Sequence, residues 1–213
     1  MSTPGPSRIF LLSPANCGGR RAQLISSPRA QFPLAEMMRT AAGAPLGDVF
    51  SFVSGLYFRG KLAYARRFAC PPQPADPLAE GGVLVITPNA GLRTPDTPVT
   101  AASFRAFAAA SIDASNAAYR TPMERAARTL LDAVGPECEI VLLGSIASAK
   151  YVEVLLPIFG EKLMFPPAFV GRGDMSRGGL MLRCVAAGAE LEYAPVEGAV
   201  RRGQRPPKLP PMP

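Results

Sequence analysis

The sequence contains no histidine among its 213 residues. Imidazole is a ligand or a base in most zinc sites, non-haem iron sites and Ser-His-Asp triads, so these arrangements are excluded. The four cysteines lie far apart and form no Cys-x-x-Cys pair, which argues against a disulfide framework and a cysteine zinc site. Any chemistry must therefore use Asp, Glu, Lys, Tyr, Cys, Ser or an added cofactor, and the sequence predicts no metal site and no particular cofactor.

Long apolar runs are also missing. No stretch approaches the roughly 18 apolar residues that span a bilayer, and the N-terminus lacks a signal-type apolar region with a cleavage site. We therefore expect a cytoplasmic protein with no membrane partner. Hydrophobic residues make up 48% of the chain, which is enough for a full core, and the length fits one domain.

Acidic residues are fewer than basic ones, 16 against 23, which gives a formal charge of +7. Such a balance favours polyanionic partners, namely DNA, RNA or a phosphate-bearing small molecule. The alternative is that arginine merely supplies the charged surface. The oligomeric state is not indicated by the sequence.

Proline and glycine divide the chain into three parts. We predict a flexible N-terminal tail over residues 1–7, an α/β domain over 8–198 and a basic, proline-rich tail over 199–213. Dense proline blocks helix and ladder hydrogen bonds, so the C-terminal tail should be extended and mobile. It is interpreted as a phosphate-binding or partner-binding segment, or as a solubilising tail. The proline-rich stretch 70–77 is predicted to be a surface loop.

Hydrophobic patterning predicts strands that alternate with helices. The predicted strands are 8–12, 49–53, 82–87 and 139–143, with shorter candidates at 162–165 and 190–194. The predicted helices are 56–68, 121–134 with a Thr-Pro start and Gly135 as its stop, 147–158 and 176–187. This alternation is typical of an α/β fold with a mostly parallel, layered sheet and flanking helices, in a single domain with Pro-rich tails.

In such a sheet, ligands bind at the carboxyl ends of the strands. The loop after the first strand has paired glycines for close backbone approach and paired arginines that suit a phosphate. Cys17, beside the arginines, is a candidate nucleophile with a depressed pKa. A flexible turn is the alternative. The predicted ligand-binding residues of this loop are Asn16, Gly18, Gly19, Arg20 and Arg21.

The loop after the strand 82–87 offers an amide, a guanidinium and a carboxylate. Asn89 and Arg93 are predicted to bind a base or a sugar, and Asp96 is a candidate acid or base. The alternative is that Asn89 and Asp96 only form turns.

The loop after the strand 139–143 is predicted to start a helix at Gly144 and Ser145. Backbone N–H groups at such a start suit an anion. Lys150 is a candidate nucleophile, and Tyr151 is a predicted ligand-binding residue.

A fourth segment, residues 170–179, has four glycines, two arginines and an aspartate before a helix. Glycine-rich backbone at a helix start favours phosphate binding. Asp174 is a candidate acid, base or electrostatic stabiliser. The predicted ligand-binding residues here are Arg172, Gly173, Ser176 and Arg177.

The helix 56–68 mixes aromatic and cationic residues. Tyr57, Arg59 and Lys61 are predicted to contact nucleic acid, because stacking and phosphate contact use such residues together. Phe58 and Phe68 are expected to lie in the core.

Three blocks, 9–15, 91–96 and 143–151, resemble the YaaA family of bacterial peroxide-stress proteins and related bacterial proteins, some associated with nucleobase-modifying systems. The resemblance covers roughly residues 9–170 in short blocks. Asn16 stands where the family usually has lysine, and the chain has no clear helix-hairpin-helix motif. The resemblance implies an α/β fold and a DNA-binding or DNA-damage-related stress function.

Three functions are therefore expected from the sequence. The first is a nucleic-acid-binding protein that recognises or processes a base in damaged or modified DNA, in which case the basic residues should converge on one face. The second is an enzyme acting on a nucleotide, nucleoside or phosphorylated metabolite, which requires a concave pocket. The third is a protein-interaction module that uses the Pro-rich tail.

Overall fold

The protein folds around a six-stranded, mostly parallel sheet. The computed structural model describes residues 6–72, 76–207 and 209. In spatial order the strands are β4 (Leu92–Arg93), β3 (Val83–Ile86), β1 (Arg8–Leu12), β6 (Glu139–Leu143), β7 (Leu163–Phe165) and β8 (Ala194–Pro195). The edge strands β4 and β8 pair antiparallel, and the four inner strands are parallel. The predicted α/β fold with a mostly parallel sheet in one domain is confirmed.

Helices cover both faces of this sheet. They are α1 (Arg20–Ser26), α2 (Pro33–Arg39), α3 (Leu46–Ser54), α4 (Leu56–Phe68), α5 (Ala101–Ala109), α6 (Ala117–Val134), α7 (Ala149–Phe159) and α8 (Asp174–Ala187). Two short strands, β2 (Ala44–Pro45) and β5 (Pro98–Val99), pair antiparallel beside the main sheet.

The central strand β1 shows why its sequence is apolar throughout. Phe10 and Leu12 belong to the core on the side of α3 and α4, whereas Ile9 and Leu11 belong to the core on the side of α6 and α7. Alternate residues of a strand point to opposite faces, so a strand with helices on both sides needs apolar residues at every position.

Two predicted strands are wrong. Residues 49–53 lie within α3, where Val49, Phe50 and Val53 are buried at helical spacing. A short β-branched run does not distinguish a strand from one buried face of a helix. The predicted strand 190–194 is reduced to its last residue, since β8 begins at Ala194. By contrast, the helix predicted over 56–68 is confirmed residue for residue.

Three helix starts also differ from prediction. Helix α6 begins at Ala117, because the Asn116 side chain accepts a hydrogen bond from the Ala118 N–H, 3.1 Å away, and caps the helix there. Helix α7 begins at Ala149, so Gly144 and Ser145 do not start a helix. Helix α8 begins at Asp174, two residues earlier than predicted, so Asp174 lies in its first turn.

The C-terminal segment 199–207 contains no helix or strand and lies against the beginning of α8. A Cβ added at Gly171 would lie 2.1 Å from the Gln204 carbonyl oxygen, and Arg172 Nη1 donates to the Pro207 carbonyl at 3.5 Å. The predicted tails and the loop 70–77 fall partly outside the described residues, which do not include 1–5, 73–75, 208 and 210–213. Among the described helices, none is long and apolar enough to cross a membrane.

Candidate functional site

A cavity of about 980 Å³ opens at the carboxyl end of the parallel strands. Its wall combines the loop after β1, the start of α1, the first turn of α4, the loop before α7 and the start of α8. The predicted residues that line it are Asn16, Cys17, Gly18, Gly19, Arg20, Arg21, Tyr57, Ser145, Lys150, Tyr151, Asp174 and Arg177. The structure therefore brings together four segments that are far apart in the sequence.

The floor of this cavity depends on a close crossing of α4 and α8. A Cβ added at Gly60 would lie 2.7 Å from the Gly178 carbonyl oxygen, and one added at Gly178 would lie 2.8 Å from the Leu56 carbonyl oxygen. Only glycine permits two helix backbones to approach so closely. Gly178 thus serves helix packing, which corrects its interpretation as part of a phosphate loop.

Lys61 is fully buried beneath the cavity. Its Nζ contacts the Ser13 carbonyl oxygen and lies 2.8 Å from Ser13 Oγ. It also lies 4.3 Å from the centre of the Tyr57 ring. No carboxylate of the described residues pairs with it. Burial, partly opposed by Asp174, lowers the pKa of Lys61 to about 7, because an apolar environment disfavours the ammonium form.

This burial contradicts the predicted contact of Lys61 with nucleic acid, since a fully enclosed amine cannot reach a backbone phosphate. Tyr57, 7% exposed, likewise has no open face on which a base could stack. Arg59 is exposed but does not line the cavity. The sequence does contain a signal that Lys61 is buried. Lys61 lies four residues after Tyr57 and three after Phe58, which places it on the apolar face of α4.

The Tyr57 hydroxyl is buried and makes no hydrogen bond among the described residues. Burial raises the pKa of Tyr57, while the neighbouring Arg177 guanidinium opposes that rise. Arg177 is 9% exposed; its Nε donates to the Phe169 carbonyl at 3.2 Å, and its Nη1 lies 3.6 Å from Asp174 Oδ1. A buried hydroxyl without a partner costs free energy, so a phenol held there indicates a group that a ligand would satisfy.

Removal of that hydroxyl is expected to stabilise the unliganded protein. Tyr57→Phe eliminates an unpaired buried donor and keeps the ring, so we expect the free energy of unfolding to rise by about 1 kcal/mol. Chemical denaturation followed by circular dichroism checks this. Tyr64→Phe is the control, because the Tyr64 hydroxyl contacts Tyr193 Oη at 2.6 Å and accepts from the Leu191 N–H at 2.7 Å. That variant should be less stable, and stabilisation by both substitutions would contradict the assignment.

At the mouth of the cavity, Arg20 and Arg21 are exposed. Arg21 Nη1 donates to the Phe52 carbonyl at 3.4 Å, and it passes over Gly55, where a Cβ would lie 2.4 Å from that nitrogen. Glycine is required at position 55 by its backbone, since its φ of 63° is a conformation that other residues rarely adopt. Asn16 Oδ1 accepts from the Gly18 N–H at 3.0 Å and closes the preceding turn.

Cys17 lies in the cavity wall but is not the reactive thiol that the sequence predicted. Its side chain is buried, and burial raises its pKa to about 12. The Cys17 thiol donates a weak hydrogen bond to the Ala15 carbonyl oxygen, 3.6 Å from Sγ. A thiol with a raised pKa carries little thiolate at neutral pH, and thiolate is the nucleophilic form.

Several predicted residues lie outside the cavity. Asp96 is exposed and pairs with Arg66 at 3.2 Å, and Asn89 Nδ2 donates to the Ala106 carbonyl at 3.2 Å. Gly144 is buried where a Cβ would lie 3.0 Å from Ser13 Cβ, so it serves packing. Arg93, another predicted ligand-binding residue, is exposed on the edge strand β4. The predicted residues Arg172, Gly173 and Ser176 line a separate groove against the C-terminal segment.

The cavity is cationic. Arg20, Arg21, Lys150 and Arg177 line it, against the single carboxylate of Asp174. Within the described part of the chain, no group of three or more cysteine, aspartate or glutamate side chains could hold a metal ion. No protein-family model, curated protein or solved structure matches the chain. The resemblance to the YaaA family stays a prediction.

Proposed function

We propose that the cavity binds a phosphate-bearing small molecule of nucleotide size. The observation that carries this proposal is the position of four cationic side chains around a concave cavity of about 980 Å³ at the carboxyl edge of the sheet. Open α/β sheets bind ligands at this edge, and drug-sized ligands occupy cavities of roughly 300–1,000 Å³. A concave, cationic site favours a compact anion over an extended one.

Two parts of the cavity match two parts of such a ligand. Arg20 and Arg21 at the mouth, beside the exposed backbone of Gly18, suit the phosphate groups, because guanidinium groups bind phosphate oxygens bidentately. The cavity is also lined by Phe107 and Ile112, which suit the apolar faces of a base or another ring. Arg177 and the Tyr57 hydroxyl lie deeper.

A second candidate is that the same cavity receives a base from a nucleic acid. The observation that favours it is the exposure of Arg20 and Arg21 at the mouth, together with the formal charge of +7. The basic side chains that this function expects on one face are Arg20, Arg21, Arg59, Lys61, Arg172 and Arg177. Of these, Arg20, Arg21 and Arg177 line the cavity. Arg59, Lys61 and Arg172 do not, so an extended basic face receives less support than a single pocket.

Binding of fluorescent adenosine mono- and triphosphate, with adenosine as the uncharged reference, tests the proposal. The double variant Arg20→Ala/Arg21→Ala should bind the nucleotides at least tenfold more weakly, because each hydrogen bond to a charged group contributes about 1.5–3 kcal/mol. Adenosine should bind weakly to both proteins.

The matched control is Arg201→Ala/Arg202→Ala, which removes the same charge from exposed positions in the C-terminal segment. If this control weakens binding equally, the interaction is a general charge effect and the proposal is wrong. Single-stranded oligonucleotides that bind with a steep salt dependence, while mononucleotides do not bind, would support the second candidate instead.

A further inference from the structure

The cavity contains a serine and a lysine in direct contact. Ser13 lines the cavity, 5% exposed, and its Oγ lies 2.8 Å from Lys61 Nζ. We propose that Ser13 is a nucleophile and Lys61 its general base, and that the pair transfers the phosphoryl group of a bound phosphate ester. This inference rests on the proposed binding of a phosphate-bearing ligand.

The position of Ser13 is determined by the sheet. It follows the last residue of β1, its N–H donates to the Leu143 carbonyl at 3.3 Å, and its Oγ donates to the same oxygen at 3.2 Å. The side chain is thus held at the carboxyl edge, where the ligand would lie. In the structure Lys61 Nζ donates to the Ser13 carbonyl oxygen and to Oγ, whose own proton is directed at the Leu143 carbonyl. When Lys61 is neutral and the hydroxyl turns from the Leu143 carbonyl toward it, the amine keeps one N–H on the Ser13 carbonyl oxygen and accepts the Oγ proton with its lone pair.

Lys61 is suited to the role of base by its surroundings. The groups that face it are Ser13 from the end of β1, Tyr57 and Phe58 from α4, Asp174 and Arg177 from α8, and Lys150 from α7. Burial lowers the pKa of this amine to about 7, and a base works best when its pKa lies near the working pH. Because the chain has no histidine, an amine is the side-chain base that remains near neutral pH.

Charge that develops on the transferred group would meet Tyr57 and Arg177. Among the described residues the Tyr57 hydroxyl makes no hydrogen bond, so it can donate its proton to the transferred group without breaking one. The Arg177 guanidinium interacts with that hydroxyl and lines the same cavity. Donors held in place before the reaction stabilise a transition state most effectively.

The reaction balances with water as the second reactant. Ser13 Oγ attacks phosphorus as its proton passes to Lys61, and the bond between phosphorus and the ester oxygen breaks. That oxygen lies in line with Ser13 Oγ on the far side of phosphorus, takes a proton from a water molecule in the cavity and leaves as an alcohol. The hydroxide formed from that water attacks the phosphoserine, the Oγ–phosphorus bond breaks, Ser13 recovers its proton from Lys61, and inorganic phosphate is released.

A fluorophosphonate probe tests the pair without knowledge of the substrate. Its phosphorus accepts Ser13 Oγ and fluoride leaves, so mass spectrometry with peptide mapping locates the adduct. We expect labelling at Ser13, at a rate that rises with pH through about 7 as Lys61 loses its proton. Ser13→Ala should abolish this adduct. Lys61→Met should slow it by about 100-fold or more, the usual contribution of a general base, and Tyr57→Phe should slow it at least tenfold.

Two control variants match the chemistry but not the position. Ser26→Ala removes an exposed serine of α1, and Lys162→Met removes a lysine that precedes β7 and so lies at the opposite, amino end of the parallel strands. Both should be labelled at the rate of the unmodified chain. Circular dichroism establishes that each variant is folded before its rate is compared.

The absence of an adduct at Ser13 between pH 6 and 9, or labelling of Lys61→Met at the unmodified rate, would overturn the pair. Adducts on Ser145 or Ser148 in its place would do the same. Nucleotide binding, measured separately with Ser13→Ala, distinguishes the two proposals. If binding persists without labelling, only the serine–lysine pair fails; if labelling occurs without nucleotide binding, the pair stands and the phosphate-bearing ligand fails.

Discussion

Substitution of Gly178 by alanine is expected to lower the free energy of unfolding by about 3 kcal/mol. The new Cβ would lie 2.8 Å from the Leu56 carbonyl oxygen and 2.9 Å from Tyr57 Cα. Both are backbone atoms of α4, so no side-chain rotation relieves the clash and the two helices must separate. Urea denaturation measures the loss. Because α8 also carries Asp174 and Arg177, nucleotide binding should weaken in the same variant.

The neighbouring Gly179 provides the control. A Cβ added there would lie 3.2 Å from Arg183 Nη1, at the end of a flexible side chain, and 3.9 Å from Leu209 Cδ1. Alanine is favoured over glycine in a helix by about 1 kcal/mol, so Gly179→Ala should leave the free energy of unfolding unchanged or raise it. Equal destabilisation by the two substitutions would mean that the helices do not cross at Gly178.

The second large effect is a change in the pH dependence of stability when Lys61 is replaced by methionine. Below pH 7 the amine is protonated in both the folded and the unfolded chain, and the folded chain bears the full cost of a buried ammonium. Between about pH 7 and the ordinary value of 10.5 the folded amine is neutral and the unfolded one is still protonated. The unfolded state then binds one more proton, so the free energy of unfolding rises with pH.

The slope is close to 1.4 kcal/mol per pH unit (about RT ln 10), for a total on the order of 5 kcal/mol over the whole interval. Lys61→Met lacks this proton and should lack the slope. Urea denaturation at pH 7.5 and 8.5 measures it. Cysteine thiols, with an ordinary pKa of about 8.5, begin to titrate in the unfolded chain over this range, so the Lys61 slope is taken as the difference between the unmodified chain and Lys61→Met, which have the same cysteines. Lys162→Met, which removes a half-buried lysine outside the cavity, should keep the unmodified slope. If the free energy of unfolding rises with pH as steeply in Lys61→Met as in the unmodified chain, the assignment of a buried, neutral Lys61 amine is wrong.

Both Lys61 and Tyr57 reduce the stability of the free protein. The Lys61 amine loses its hydration without gaining a carboxylate, and the Tyr57 hydroxyl makes no hydrogen bond to the residues that the structure describes. Residues that break the rules of stable packing concentrate at functional sites. Their position at the floor of one cavity, together with Ser13, is the physical basis of the function proposed for this protein.

The candidate site was partly predictable. The loops 13–21 and 144–151 follow strands with uninterrupted apolar sequences, and the carboxyl ends of such strands meet at one edge of a sheet. Residues Arg20, Arg21 and Tyr151 therefore lie in one cavity, as loop positions alone predicted. Asp96 and Asn89 also follow a central strand. Pro88 of their loop lines the cavity, whereas Asp96 pairs with Arg66 and Asn89 with α5. Loop direction depends on local packing that a strand pattern does not encode.

The amino-acid sequence by itself determined the α/β class, the buried central strands β1, β3 and β6, and the helix 56–68. Each of these depends on hydrophobic periodicity between residues close in the chain. Only the tertiary structure decided that Val49–Val53 is helical, that Gly60 meets Gly178, and that Lys61 is buried against Ser13. The physical reason is that these features depend on contacts between elements far apart in the sequence. Whether an amine is buried, or two helix backbones touch, is decided by the element that packs against them, and a local sequence pattern does not specify that element.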